Sequence, residues 1–138
     1  MSATAFSLLG YIGWTLLLLL VMETMRSWLV LAGRKAANSF SPDGQDVSPF
    51  AHRLARAHAN CYESFPLVGG LLLLALATGE AVITDPLAPW LLAARVAQSS
   101  VHLLSAGAFA VQVRFAFFAV QLAIAAWWVL QFLLRWVG

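Results

Sequence analysis

Charge is scarce in this chain. Only 10% of its 138 residues are Asp, Glu, Lys or Arg, whereas a water-soluble domain carries roughly 25%. That shortage excludes an ordinary solvated surface. Cysteine occurs once, as Cys61, which excludes an intrachain disulfide and a cysteine cluster for metal. No Ser-His-Asp pattern, glycine-rich phosphate loop or HExxH helix is present, so the common hydrolase, nucleotide and metalloprotease signatures are missing. His102 has no second histidine or acid at metal-ligand spacing. The pI of 9.2 comes from a net charge of only +2. That charge is spread over segment ends and forms no basic patch of the kind nucleic acid requires.

Apolar residues are abundant instead, at 62% of the chain. Residues 6 to 22, FSLLGYIGWTLLLLLVM, contain no charge, and the apolar run continues to Ala32. A membrane-spanning helix needs ~20 such residues. The run is too long for a signal-peptide core and has neither a basic leader nor a small-x-small cleavage site. Four segments emerge, at about 5–32, 49–78, 86–105 and 108–136. They are too long and too uniformly apolar for ~10-residue barrel strands. The expectation is an all-α integral membrane protein, a four-helix bundle in one domain spanning residues 1–138.

The connections are polar and short. Residues 33–49 carry a Ser-Pro-Asp-Gly core suited to a type I turn. Asp85-Pro86 offers a start for the third helix. Arg26, Arg34, Lys35, Arg53 and Arg56 gather around the first connection, while the second carries only Glu80 and Asp85. The positive-inside bias therefore places the 33–49 loop in the cytoplasm, with Arg135 as the one contrary charge. Trp14, Trp90, Trp127, Trp128 and Trp136 fall mostly toward segment ends, where interfacial anchors belong.

The polar residues inside the apolar segments are not scattered. Each ionisable side chain at a helix centre costs ~2.5–3.5 kcal/mol on insertion scales, so it normally faces a partner or a wet cavity. At 100° per residue, Arg56, Asn60 and Glu63 fall within about 60° on the second helix, with His52 one turn earlier. Arg95, Gln98, Ser99 and His102 share about 100° of the third. Arg114 and Gln121, seven apart, share a face of the fourth with Phe118. One reading makes these stripes packing glue, with Glu63 pairing to Arg95 or Arg114. The other makes them the lining of a polar cavity. On the stripes, Arg56, Arg95 and Arg114 face Glu63 alone. That surplus suits an anionic ligand, and the bidentate guanidinium suits carboxylates in particular. Glu23 and Arg26, three apart, can simply pair with each other. His58 points off the stripe, and Cys61 lies one residue from it as a small packing residue.

The stretch RAHANCYESFP, residues 56–66, resembles the R-A-x-x-N-x-x-E-x-x-P signature of the MAPEG family, the membrane-associated proteins in eicosanoid and glutathione metabolism. ARVAQSSVHLL on the third helix and VQVRFAFF on the fourth fit the same pattern, as does the length, which is similar to bacterial members. The resemblance covers essentially the whole chain. It implies a homotrimer in the bacterial inner membrane that holds glutathione between subunits near the cytoplasmic side, in contact with membrane lipids and a small lipophilic substrate. Carried over by position, Arg56, Asn60 and Glu63 hold glutathione or brace its site, together with Arg95. His102 stands where the enzymes carry a glutathione-contacting tyrosine, and Arg34 is a further basic candidate after the first helix. Arg114 matches the arginine that stabilises the glutathione thiolate.

The implied chemistry is a membrane-bound glutathione transferase or peroxidase acting on lipophilic electrophiles. A free thiol has a pKa near ~8.5, and each unit of depression corresponds to ~1.4 kcal/mol, within reach of a nearby arginine in a poorly hydrated site. The chain departs from the enzymes at the aromatic hydroxyls that surround the thiol. Ser64 follows Glu63 where leukotriene synthases have tyrosine, and the other hydroxyl positions hold His102, Phe115 and Phe118, with Tyr62 pointing elsewhere. Two alternatives therefore stay open: a non-catalytic binding protein for a lipid or small anion, and a transport or assembly subunit whose stripes only pack. No metal and no nucleic acid enters any of these readings.

Overall fold

The computed structural model describes all 138 residues and contains helices and turns without strand. In chain order the helices are α1 (Ala3–Leu31), α2 (Pro49–Ala77), the single-turn α3 (Ala81–Thr84), α4 (Ala88–Leu104) and α5 (Ala108–Val137). The starts follow local chemistry. The Ser2 hydroxyl accepts from the Ala5 N–H, and that of Ser48 from the Ala51 N–H, each at 3.0 Å. Pro49 sits in the first turn of α2, where its missing N–H leaves no bond unmade. Gly33 and Gly79 adopt φ of 69° and 72° just beyond the ends of α1 and α2, the left-handed stop that glycine permits at least cost.

Three of these helices, α1, α2 and α5, are long and apolar enough to cross a membrane. The fourth long helix, α4, is the shortest: its 17 residues rise about 25 Å, at the lower end of the lengths that cross a ~30 Å hydrocarbon core. It begins at Ala88 rather than at Pro86, because residues 81–84 turn first as α3. A shorter helix suits its position, since α4 packs against α1, α2 and α5 and buries its polar stripe rather than showing it to lipid.

Tyr11 and Leu18 of α1, Leu54, Cys61, Val68 and Leu72 of α2, Leu91 of α4 and Ile124, Trp128 and Phe132 of α5 form the core. Trp128 is fully buried, which corrects its placement among interfacial anchors. It stands seven residues from Gln121 on the inner face of α5, whereas Trp90, Trp127 and Trp136 are exposed. Phe6, Leu9, Leu16, Leu17 and Leu20 project outward from α1, as side chains that meet acyl chains must.

Two polar fastenings hold the ends of the bundle. At one end the Thr4 N–H and hydroxyl both donate to Asp85 Oδ1, at 2.8 and 2.6 Å, and the Thr4 and Thr84 hydroxyls lie 2.6 Å apart. Asp85 thereby satisfies the start of α1 from the α3–α4 corner. At the other end the 33–48 loop folds onto itself. Lys35 pairs with Asp46 at 2.9 Å, and His52 Nδ1 lies 2.8 Å from the Asp43 carbonyl. Gly44, at φ 70°, rests so close to Ala51 that a Cβ would sit 2.6 Å from its carbonyl oxygen. Hydrogen bonds from the Ser41 hydroxyl and the Gln45 N–H hold the Asp43 carboxyl below its ordinary range, and Lys35 with the Ser41 N–H does the same for Asp46.

Candidate functional site

A groove of about 490 Å³ opens between α2, α4 and α5. Its polar wall is Asn60, Glu63 and Ser64 from α2, Arg95 and Gln98 from α4, and Arg114 and Gln121 from α5. Its apolar wall includes Leu67, Val111, Phe115, Phe118 and Leu122. Each helix supplies side chains three, four or seven apart, as one face of a 3.6-residue repeat must. Pro66 interrupts the hydrogen-bond ladder of α2 between Glu63 and Leu67, freeing the Tyr62 carbonyl without ending the helix.

Arg95 dominates the electrostatics. It is 1% exposed, and all three of its guanidinium nitrogens are buried with no hydrogen-bond partner in the chain. Its charge lies 5.6 Å from the centre of the Tyr11 ring, a cation–π contact that offsets only part of the desolvation. Arg114 Nε is likewise buried and unpaired. Glu63, the groove's one carboxylate, is exposed. The ion pairs of the chain are Arg26–Glu23 at 3.3 Å, Lys35–Asp46 at 2.9 Å and Arg135–Glu80 at 3.1 Å, all away from the groove. An intrachain bridge from Glu63 to Arg95 or Arg114 is therefore not formed. A lone buried guanidinium costs several kcal/mol, a penalty that an anionic partner at Arg95 would relieve.

Below Arg95 the polar groups are tightly ordered. Gln121 Nε2 donates to Gln98 Oε1 at 2.9 Å and to the Phe117 carbonyl at 3.1 Å, while Gln121 Oε1 is buried and unpaired. The Ser99 hydroxyl donates to the Arg95 carbonyl at 3.0 Å and lies 3.3 Å from Cys61 Sγ. The Tyr11 hydroxyl donates to the Cys61 carbonyl at 2.8 Å. Cys61 is fully buried, in keeping with a packing residue.

Of the residues singled out in the sequence, Asn60, Glu63, Arg95 and Arg114 converge on this groove. His102 stands beside it, its Nδ1 3.5 Å from Asn60 Nδ2. Arg56 is exposed one turn before Asn60. Arg34 lies elsewhere, its guanidinium stacked 4.8 Å from the centre of the Trp28 ring. Ser64, Leu67, Val68, Val111 and Leu122 also line the groove. Ser64 was already marked as the residue after Glu63, and Leu67 stands four residues after Glu63; Val68, Val111 and Leu122 carry no chemical signature, and only the packing brings them here. The Gln98–Gln121 pair needed the rotation of α4 against α5, which spacing along either helix does not contain.

The donor set fits a peptide carrying more than one carboxylate: a buried arginine with no partner, a half-buried one whose Nε is unpaired, an amide on Asn60 and a glutamine pair with a free carbonyl for an N–H. A family model, that of the MAPEG family, matches residues 10–134. No curated protein and no solved structure matches the chain.

Proposed function

The chain belongs to the MAPEG family, and on that premise we propose that it is a homotrimeric, glutathione-dependent membrane transferase or peroxidase acting on lipophilic electrophiles. The observation that carries this reading is the convergence of Arg95, buried with all three guanidinium nitrogens unpaired, and Arg114, half-buried with its Nε unpaired, on one groove with an apolar wall. Glutathione supplies the thiol nucleophile when bound. Arg95 holds a carboxylate at the groove floor, with Asn60 and His102 beside it. Glu63 accepts from an amine or amide at the rim. Arg114 favours the ionised thiol through its charge, each pKa unit of depression corresponding to ~1.4 kcal/mol. Phe115 and Phe118 exclude water from the sulfur and offer an apolar path from the acyl region. The 33–48 loop faces the cytoplasm of a bacterial inner membrane, which puts the water-soluble peptide on the side of Arg56.

Turnover tests this reading. The detergent-purified protein is expected to accelerate conjugation of glutathione to a chloronitrobenzene, or its oxidation by an organic hydroperoxide. Failure with both substrate classes, at saturating glutathione, would contradict it.

The lack of an aromatic hydroxyl on the groove wall favours a second reading, a non-catalytic protein that binds a lipid or small anion at Arg95. Native mass spectrometry of the purified protein separates the two. A co-purifying acidic lipid displaced by Arg95→Met supports the second.

A further inference from the structure

Tyr11 and Tyr62 are the chain's two tyrosines. The Tyr11 hydroxyl is occupied, donating to Cys61 inside the core. Tyr62 is 56% exposed, and its ring meets only that of His58 one turn earlier, at 5.7 Å between centroids. Within its own chain the phenol has nothing to do.

Its position on α2 is informative. Tyr62, Leu73, Pro66, Gly70, Glu63, Arg56 and Leu67 are exposed and, at 100° per residue, form one open face about 140° wide. The edge that carries Glu63 and Leu67 borders the groove with α4 and α5. The opposite edge, at Tyr62 and Leu73, borders α1, which reaches α2 through Tyr11 against Phe65 at 5.7 Å. Two charges toward the groove side of this face make it unfit for lipid. Pro66 and Gly70 keep it low, with nothing within 4 Å of a Cβ built on Gly70, so a second helix can approach closely. The occupant this face suits is a second copy of the chain.

In a cyclic assembly the interface is heterologous: one edge of each copy meets the opposite edge of the next. Rotation about an axis normal to the membrane keeps every residue at its own depth. The Tyr62 edge of one subunit therefore arrives at the groove edge of its neighbour, at the level of Asn60 and Glu63. We propose that Tyr62 of the partner subunit donates its hydroxyl to the anionic sulfur held in the groove, supplying the hydrogen bond that Phe115 and Phe118 cannot. No bond is made or broken by the phenol; it stabilises the charge alongside Arg114. This inference rests on the thiol-binding trimer proposed above.

Subunit mixing tests it. Tyr62→Phe and Arg114→Ala, each alone, are expected to lower the ultraviolet thiolate absorbance of bound glutathione by about tenfold or more. Co-expressed in one random trimer, the two variants are expected to restore about a quarter of the wild-type signal, since half the grooves keep Arg114 and half of those meet an intact Tyr62 from the next chain. A Tyr62→Phe signal equal to wild type, or mixed trimers with no recovery, would overturn the proposal. A cysteine pair tests placement without glutathione. Tyr62→Cys with Phe115→Cys, in a Cys61→Ser background, is expected to give interchain disulfides on mild oxidation. Absence of those bands overturns the arrangement. Their presence beside a wild-type protein that shows no thiolate signal would instead reject the thiol reading, and the hydroxyl's role with it.

Discussion

Replacing Arg95 with methionine removes a charge while keeping most of the side chain's length and volume. Arg95 is 1% exposed and its three guanidinium nitrogens find no partner, so in the ligand-free protein it is a buried, uncompensated ion. Exchanging buried ionic groups for apolar residues of similar size is neutral or stabilising by about 1–4 kcal/mol. The ligand-free Arg95→Met variant is therefore expected to melt several degrees above wild type. Binding of a carboxylate ligand should move the opposite way. Losing one partner of a buried charge pair costs about 2–5 kcal/mol, which weakens affinity roughly 30-fold to a few thousand-fold. The assay is thermal unfolding in detergent with and without glutathione, together with titration calorimetry on both proteins. Opposite signs, a higher melting temperature and a lost ligand response, identify Arg95 as a ligand group. A variant that melts lower without ligand and binds glutathione normally would refute the reasoning and make Arg95 a packing brace.

Three further outcomes follow from other parts of the molecule. Arg114→Ala is expected to abolish the thiolate absorbance of bound glutathione while leaving the oligomer intact on size-exclusion chromatography; a retained thiolate would remove its proposed role. Asp85→Ala breaks both bonds to Thr4, and since Thr4 is fully buried, stability should fall by about 1–3 kcal/mol, read by thermal unfolding, with glutathione affinity unchanged. The loop should respond to acid: Asp43 and Asp46 titrate below the ordinary 3.8. Their contribution is thus fully present above that value and is lost as pH falls through the lowered ones. Hydrogen exchange across residues 33–48 is expected to stay slow from neutral pH to about 4, after correction for intrinsic rates, and to quicken below it. Quickening near neutrality instead would contradict the assignment.

The helical, membrane-embedded character of the chain was legible because it depends on local quantities: run length, charge scarcity and the 3.6-residue repeat. The same repeat put Asn60 and Glu63 on one face, and the cost of burying charge in lipid said that such a face needs a partner. What a single helix cannot reveal is its rotation against its neighbours. Trp128 reads like an interfacial anchor, yet the face it shares with Gln121 turns inward. Arg34 reads like a site cation but stacks on Trp28, because the chain leaves α1 through the Gly33 turn. The Thr4–Asp85 fastening joins residues 81 apart and leaves no trace in either local sequence. The shortness of α4 follows from the turn at residues 81–84, where an apolar run containing Val82 and Ile83 folds as a separate turn of helix.

Glutathione titration of the detergent-purified wild-type protein, by calorimetry with ultraviolet absorbance recorded in parallel, goes most directly to the groove between Arg95 and Arg114. Saturable binding accompanied by a thiolate band at neutral pH is the expected result. Absence of binding at millimolar glutathione would contradict the assignment of the groove to this thiol and leave an acidic lipid as its occupant.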